Sequence, residues 1–461
     1  MIMKKIIYVL LGIILTCSCE GWFDLAPDGG LNGGQVLFQN EATFRDYLNG
    51  IYVELRNENL YGNNLGLGGV EYFSGNLTTY DSSSEQWVKF DFSDETNRNR
   101  VYEMYKLFYG AIYSCNNFIY LLNKAENVKF IEGSKEMMLS EAKALRAFLH
   151  FELIKLFSPA YVVDNNSTKI AWVDNVKGQS KTLSTKELIN LIISELEIAG
   201  EELEKFDPII TGMDYDTNAL LGTSVENRRW KLNYYGVQAT LARVYMFKAD
   251  YSSALSVSEK ILLSEKYPYV RTISKTDYMM SAECIFSLPQ QDSDYVGLSN
   301  MADFLFLQNG VSLSPTVDIN ELGADDRRRN WIENRTLVNK FSASSLIDYW
   351  NIKPVISIIK VGEVQLMAAE AAAKSNDLSR AIELLNDFME NRNSPSMLLP
   401  SDASSEDVEN LIKKQYKYEF LGEGVSFFYY KRLNLDLVSV NGTSLGKAGA
   451  LKLPILSLEN F

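Results

Sequence analysis

The chain has 461 residues, 46% of them hydrophobic, enough to bury a large core and too apolar for a disordered protein. A formal net charge of −14 argues against nucleic acid as a partner. A single histidine excludes a multi-histidine metal site and leaves little room for Ser-His-Asp chemistry.

At the N-terminus, Lys4 and Lys5 precede an apolar run from Ile6 to Leu15, followed by Thr16, Cys17, Ser18 and Cys19. Charge, then an apolar stretch, then small residues make an export signal, and the run is too short to span a bilayer. A cysteine directly after small residues is a lipid-acceptor position. Cys19 is the better acceptor, because Ser18 is small and a tether begins after it. Cys17 is the alternative, since Ile14 and Leu15 precede it well. The expected division is a signal peptide over 1–18, an extended Gly-rich tether over 19–39 and a folded body over 40–461. Acyl chains on Cys19 would hold the protein to a membrane without spanning it. Cys115 and Cys284 sit in apolar contexts, and an exported compartment permits a disulfide between them without implying one.

Asn40 is placed to cap a helix whose Phe44, Leu48, Ile51, Tyr52 and Leu55 share one face. From Tyr61 to Thr96 the chain is rich in Gly, Ser, Asn and aromatics without a sustained period, which predicts loops with short strands. Gly62 to Gly69 reads as a mobile turn. Helices follow over 98–123, with Val101, Tyr105, Phe108, Ile112 and Ile119 inward, and over 135–156, stopped by Ser158-Pro159. His150 lies in the second helix's stripe beside Phe151 and reads as a packing residue. Ser184 and Glu187 form a capping box for a helix burying Leu188, Ile192, Leu196 and Leu203.

Asn233 to Leu262 reads as two helices around a tight turn. Val237, Leu241, Val244 and Tyr245 line the first; Ser252 is placed to cap the second, which carries Ala254, Leu255, Val257, Ile261 and Leu262. The order Leu241-Ala242, Tyr245, Ala254 keeps most of the tetratricopeptide spacing, with Gln238 for the usual Trp and Ser258 for the second aromatic. A second pair over 363–391 repeats it: Ala369, Ala372 and Ala381 fall at the offsets of Ala242, Tyr245 and Ala254. A lone helical hairpin cannot bury its own apolar face, so the pairs must stack on neighbours. Glu283 to Leu288 reads as a short strand, and 290–351 as an irregular polar region of the length that is usually functional. Ser404 and Asp407 open a last helix with Val408, Leu411, Ile412, Tyr416 and Phe420, ending at Gly422. The tail from Asn434 shows no period. The expected fold is mainly α: one domain of tetratricopeptide-like hairpins, long irregular loop regions and few short strands.

Several segments carry a resemblance when taken in order. They are Cys19 to Pro27; Glu141 to Phe151 with Arg146; Ala282 to Phe286; Asp325-Asp326-Arg327-Arg328 followed by Lys340-Phe341; Ile359-Lys360 and Glu363 to Glu370; Glu423-Gly424; and Leu453-Pro454-Ile455. Together they resemble the SusD/RagB family of outer-membrane lipoproteins from Bacteroidetes-type bacteria. Lys360 stands where an arginine is usual, Gln415-Tyr416-Lys417 lacks the usual Glu-Arg, and Val425 replaces an Arg or Lys. The resemblance implies a non-catalytic, cofactor-free protein on the cell surface. It would capture nutrient, usually glycan, and sit as a lid on a SusC-like TonB-dependent transporter. Peptide capture by the same architecture, or a helical scaffold for the transporter, are the alternatives.

Sugar binding needs flat apolar faces for pyranose rings and planar amides or carboxylates for hydroxyls. Tyr72, Tyr80 and Trp87 with Asn76, Asp81 and Gln86 offer those groups in one loop region. Tyr295 and Trp331 with Asn300, Asn309 and Asn330 offer them in the other. The competing reading is that these rings staple the loops to the body. Acid pairs such as Glu201-Glu202 and Asp325-Asp326 read as solvated faces rather than a glycosidase dyad. Gly442 to Lys447 is one residue short of a phosphate loop, and no EF-hand spacing occurs.

Overall fold

A computed structural model describes residues 38–78, 82–213, 215, 225–270, 277–289, 310–341, 355–438 and 444–455. The signal segment, most of the tether, Cys17 and Cys19 lie outside these residues. The fold is mainly α, as the periodicity predicts. Helix α1 (Glu41–Leu55) begins where Asn40 accepts a hydrogen bond from the Thr43 amide, and buries the five residues read as its inner face. A short α2 (Ser82–Val88) leads to α3 (Glu95–Asn123), capped by Asp94. Helix α4 (Ser134–Phe157) follows, and Lys169–Val173 and Ser180–Ser184 pair as an antiparallel hairpin, β1 and β2. The Ser184–Glu187 capping box then starts α5 (Thr185–Phe206).

Helix α4 is buried nearly all round, and both α3 and α5 pack against it. Its polar groups are therefore matched internally. Glu141 accepts from the Tyr52 hydroxyl at 2.7 Å and pairs with Arg228 at 2.5 Å. Arg146 pairs with Glu195 and donates to Asn116 at 2.7 Å. His150 spans between the Arg146 carbonyl at 2.9 Å and the Val173 amide at 3.2 Å, with both ring nitrogens engaged. Burial drives its imidazole down to about 3, so it packs as a neutral ring.

The two hairpins are α6 (Tyr234–Lys248) with α7 (Tyr251–Leu262), and α8 (Val361–Lys374) with α9 (Leu378–Asn391). Helix α8 packs against α7 as well as α9, so the pairs stack as the repeat requires. Ala242, Ala254, Ala369, Ala372 and Ala381 are all fully buried, where small side chains let helices approach. The cap of α7 is Asp250, accepting from the Ser253 amide, not Ser252: Ala249 at φ 62° ends α6 and the cap falls two positions earlier. Strand β3 (Cys284–Pro289) pairs antiparallel with β4 (Val355–Lys360), which runs straight into α8.

Helix α10 (Ser405–Glu419) opens on the Ser404–Asp407 capping box. An unforeseen α11 (Val425–Arg432) follows, and β5 (Asp436–Val438) pairs antiparallel with β6 (Ser444–Lys447). Helix α11 escapes periodicity because Ser426, Phe427, Tyr429, Tyr430 and Lys431 are all buried, leaving no polar stripe. The stretch 61–78 is not made of strands. It is a ladder of turns and a 3-10 turn over Val70–Ser74 whose five residues are all buried. The Gly62–Gly69 turn is packed rather than loose, with Leu65 and Leu67 in the core. Cys115 and Cys284 are free, buried thiols. No helix among the described residues is long and apolar enough to cross a membrane.

Candidate ligand-binding face

The two loop regions singled out in the sequence meet. The Thr78 amide donates to the Ser312 carbonyl at 2.8 Å, the Ser314 amide donates to the Asn76 carbonyl at 2.7 Å, and Leu77 bridges Leu313. Beneath this junction the fully buried Glu71 carboxylate accepts from Asn76 Nδ2 and from the Gly424 amide, each at 2.9 Å. Burial raises its carboxyl above the ordinary range despite those donors. Gly75, at φ +74°, turns the chain away toward the junction, and a Cβ there would meet the Val438 carbonyl at 2.7 Å. The first loop is thus pinned to α11 and hydrogen-bonded to the second.

Four residues expected to touch ligand serve the interior instead. Tyr72 is 4% exposed, and Asn76 is buried with its amide spent on Glu71. Trp87 is buried, donates its indole N–H to the Gly69 carbonyl at 3.1 Å and stacks on Phe73 at 5.0 Å, with the Arg100 guanidinium 4.8 Å from its ring. Trp331 is fully buried, donates to the Tyr278 carbonyl at 2.7 Å and has the Lys340 ammonium 4.1 Å above it. These large rings hold short helical and 3-10 turns to the body, too short to show a helical period that would advertise their burial. Tyr80, Asp81, Tyr295, Asn300 and Asn309 lie outside the described residues. Gln86 is half-buried; Asn330 is exposed, its amide donating to the Arg327 carbonyl at 3.1 Å.

Behind the second loop lies a buried ion network. Arg392 binds Glu283 through two hydrogen bonds of 3.0 and 2.7 Å and Glu419 at 2.8 Å. Arg328 joins Glu419 at 3.4 Å and holds Asp326 through bonds of 3.0 and 2.7 Å. Burial would raise the Glu419 carboxyl, but Arg392 and Arg328 outweigh it and hold it at about 2. Lys340 and Lys360 share Glu423 at 2.8 and 2.6 Å. Asp326 is therefore a buried structural acid, not half of an exposed pair with Asp325. Among the described residues no group of three or more His, Cys, Asp or Glu is arranged to hold a metal.

Sequence reasoning passed over a neighbouring seam between the Gly-rich turn, α4 and β4. Tyr61 Oη, Asn63 Oδ1 and Ser357 Oγ line it without a well-formed hydrogen bond. Its volume of about 50 Å³ is room for a few waters rather than a pyranose ring.

Residues 313–449, which contain the later part of the second loop, Asp326, Arg328, Arg392 and Glu419 of the ion network and the second hairpin, match the profile described as SusD family. That stretch of the chain is similar to the SusD family. No curated protein matches it. Solved SusD-like structures share its fold at low identity. A SusD-like carbohydrate binding protein from Bacteroides vulgatus has a TM-score of 0.69 at 19% identity, covering 87% of this chain and 85% of its own. A SusD superfamily protein from Bacteroides thetaiotaomicron also gives 0.69 at 19%, covering 90% and 96%. One from Bacteroides fragilis gives 0.69 at 17%, covering 91% and 97%.

Proposed function

We propose that this chain is a non-catalytic, lipid-anchored outer-membrane protein of the SusD family. It captures an oligosaccharide on the face where its two loop regions meet and delivers it to a SusC-like TonB-dependent transporter. The observation that supports the reading is the hydrogen-bonded junction of Thr78 with Ser312, which joins the two loop regions. Sites of this kind sit where a scaffold positions loops. The description of a structural neighbour as carbohydrate binding supports glycan as the ligand class. Tyr80, Asp81 and Tyr295 are the residues we assign to ligand contact, and Cys19 to lipid attachment, with residues 1–18 removed and 19–39 as the tether. Calorimetric titration against a broad glycan panel, with a peptide panel beside it, tests the reading. Binding of at least one glycan without release of cleaved product is expected; binding of peptides alone, or hydrolysis of any glycan, overturns it.

A further inference from the structure

Arg327 is the one arginine of the Arg327–Arg329 turn whose side chain no described group engages. It is 6% exposed, and all three guanidinium nitrogens are buried without a hydrogen-bond partner. The acids around it are already taken. Asp326 is matched to Arg328, and Glu283 and Glu419 to Arg392. Burial, then the charge of Arg392, weaken its hold on its proton. A buried guanidinium without an acceptor is costly to keep, and a planar carboxylate is the group that fits its fork through two parallel bonds.

Arg327 lines a groove of about 1090 Å³ that runs between the two helical hairpins. That is ample for a ligand of several residues. Its walls are formed by α7, α8 and α9. Leu384 and Asp387 lie on one face of α9 at helical spacing with Glu390, while Leu263 at the end of α7 is 79% exposed. Burial, then Glu383 and Glu390, raise the Asp387 carboxyl, so this wall is crowded with negative charge. Arg380, the other arginine at the groove, is already paired with Glu259 and Glu383. The base is stiff: Gln365 receives the Tyr269 hydroxyl and donates to the Leu384 carbonyl at 2.8 Å.

We infer that this groove is a second binding site, which takes a short basic peptide whose terminal carboxylate pairs with Arg327. The acidic wall repels a polyanion such as a uronic acid oligomer and suits a cationic side chain. The apolar edge at Leu263 and Leu384 suits an aliphatic one. This site is separate from the loop face and does not depend on the ligand proposed there.

The probe is a tetrapeptide containing one lysine and one leucine, with a free carboxyl terminus, titrated into the protein at low salt beside its C-terminally amidated form and digalacturonate. The free acid is expected to bind about tenfold or more tighter than the amide. Arg327→Gln should erase that difference, and Asp387→Asn with Glu390→Gln should weaken both peptides. Arg327→Met, which keeps the stem's packing, should stay folded and show the same loss of preference. Oligosaccharide binding should be unchanged in all three variants, so failure here is distinguishable from failure of the loop-face reading. Equal binding of acid and amide, no peptide binding, a preference that survives Arg327→Gln, or digalacturonate binding as tightly as the free-acid peptide would each overturn the inference.

Discussion

Replacing Glu419 by Gln probes the ion network that locks the second loop to the hairpins. Glu419 is fully buried and accepts from Arg392 at 2.8 Å and Arg328 at 3.4 Å. A carboxyl held at about 2 instead of 4.5 contributes roughly 3 kcal/mol at neutral pH. Loss of one partner of a buried ion pair costs about 3–5 kcal/mol, and the low end applies here because Arg392 keeps Glu283 and Arg328 keeps Asp326. The native carboxyl is depressed relative to the unfolded one, so its contribution is fully present above pH 4.5 and drains as pH falls toward 2. By pH 3, about 2 kcal/mol of it is gone. Urea unfolding of wild type and Glu419→Gln, followed by circular dichroism, should show a gap of about 3 kcal/mol at pH 7 that narrows steadily in acid. A gap under about 1 kcal/mol at pH 7, or one that ignores pH, would refute the reasoning.

The lone histidine offers a one-signal test. Because burial holds His150 neutral down to about 3, its imidazole resonance should not titrate between about pH 7.5 and pH 4.5, and stability should fall as pH drops below 6.5, where only the unfolded state takes the proton; a midpoint near 6.5 contradicts this. Burial pushes the Cys284 thiol up to about 12 and the Cys115 thiol upward as well. A disulfide reagent should label neither in the native protein and both after urea, and native labelling of either contradicts the packing. Trp87→Phe should lower stability by about 2 kcal/mol through the lost indole bond and ring volume, while ligand affinity stays within about twofold. Tenfold weaker binding with unchanged stability would return Trp87 to the ligand face.

The helical body was legible because its signals are local. Asn40, Ser184 and Ser404 cap helices where they stand, and the small residues of the two hairpins share the offsets of a helical repeat. The loops were less legible, since missing periodicity was read as exposure. Tyr72, Trp87 and Trp331 show that short turns and a two-turn helix without a readable period can be buried when nearby polar groups are met, as Glu71 and Lys340 meet theirs. The ion network could not be read at all. Glu283, Asp326, Arg392 and Glu419 come from four separate segments, and no spacing along the chain announces their meeting.

Titration of the best-binding oligosaccharide into wild type and a Tyr80→Ala, Tyr295→Ala double variant bears most directly on capture at the loop junction. An affinity loss of at least about tenfold, with melting temperature unchanged, is the predicted result, in line with about 1–3 kcal/mol per stacked ring lost. Undiminished affinity in the double variant would place the ligand elsewhere and contradict the account.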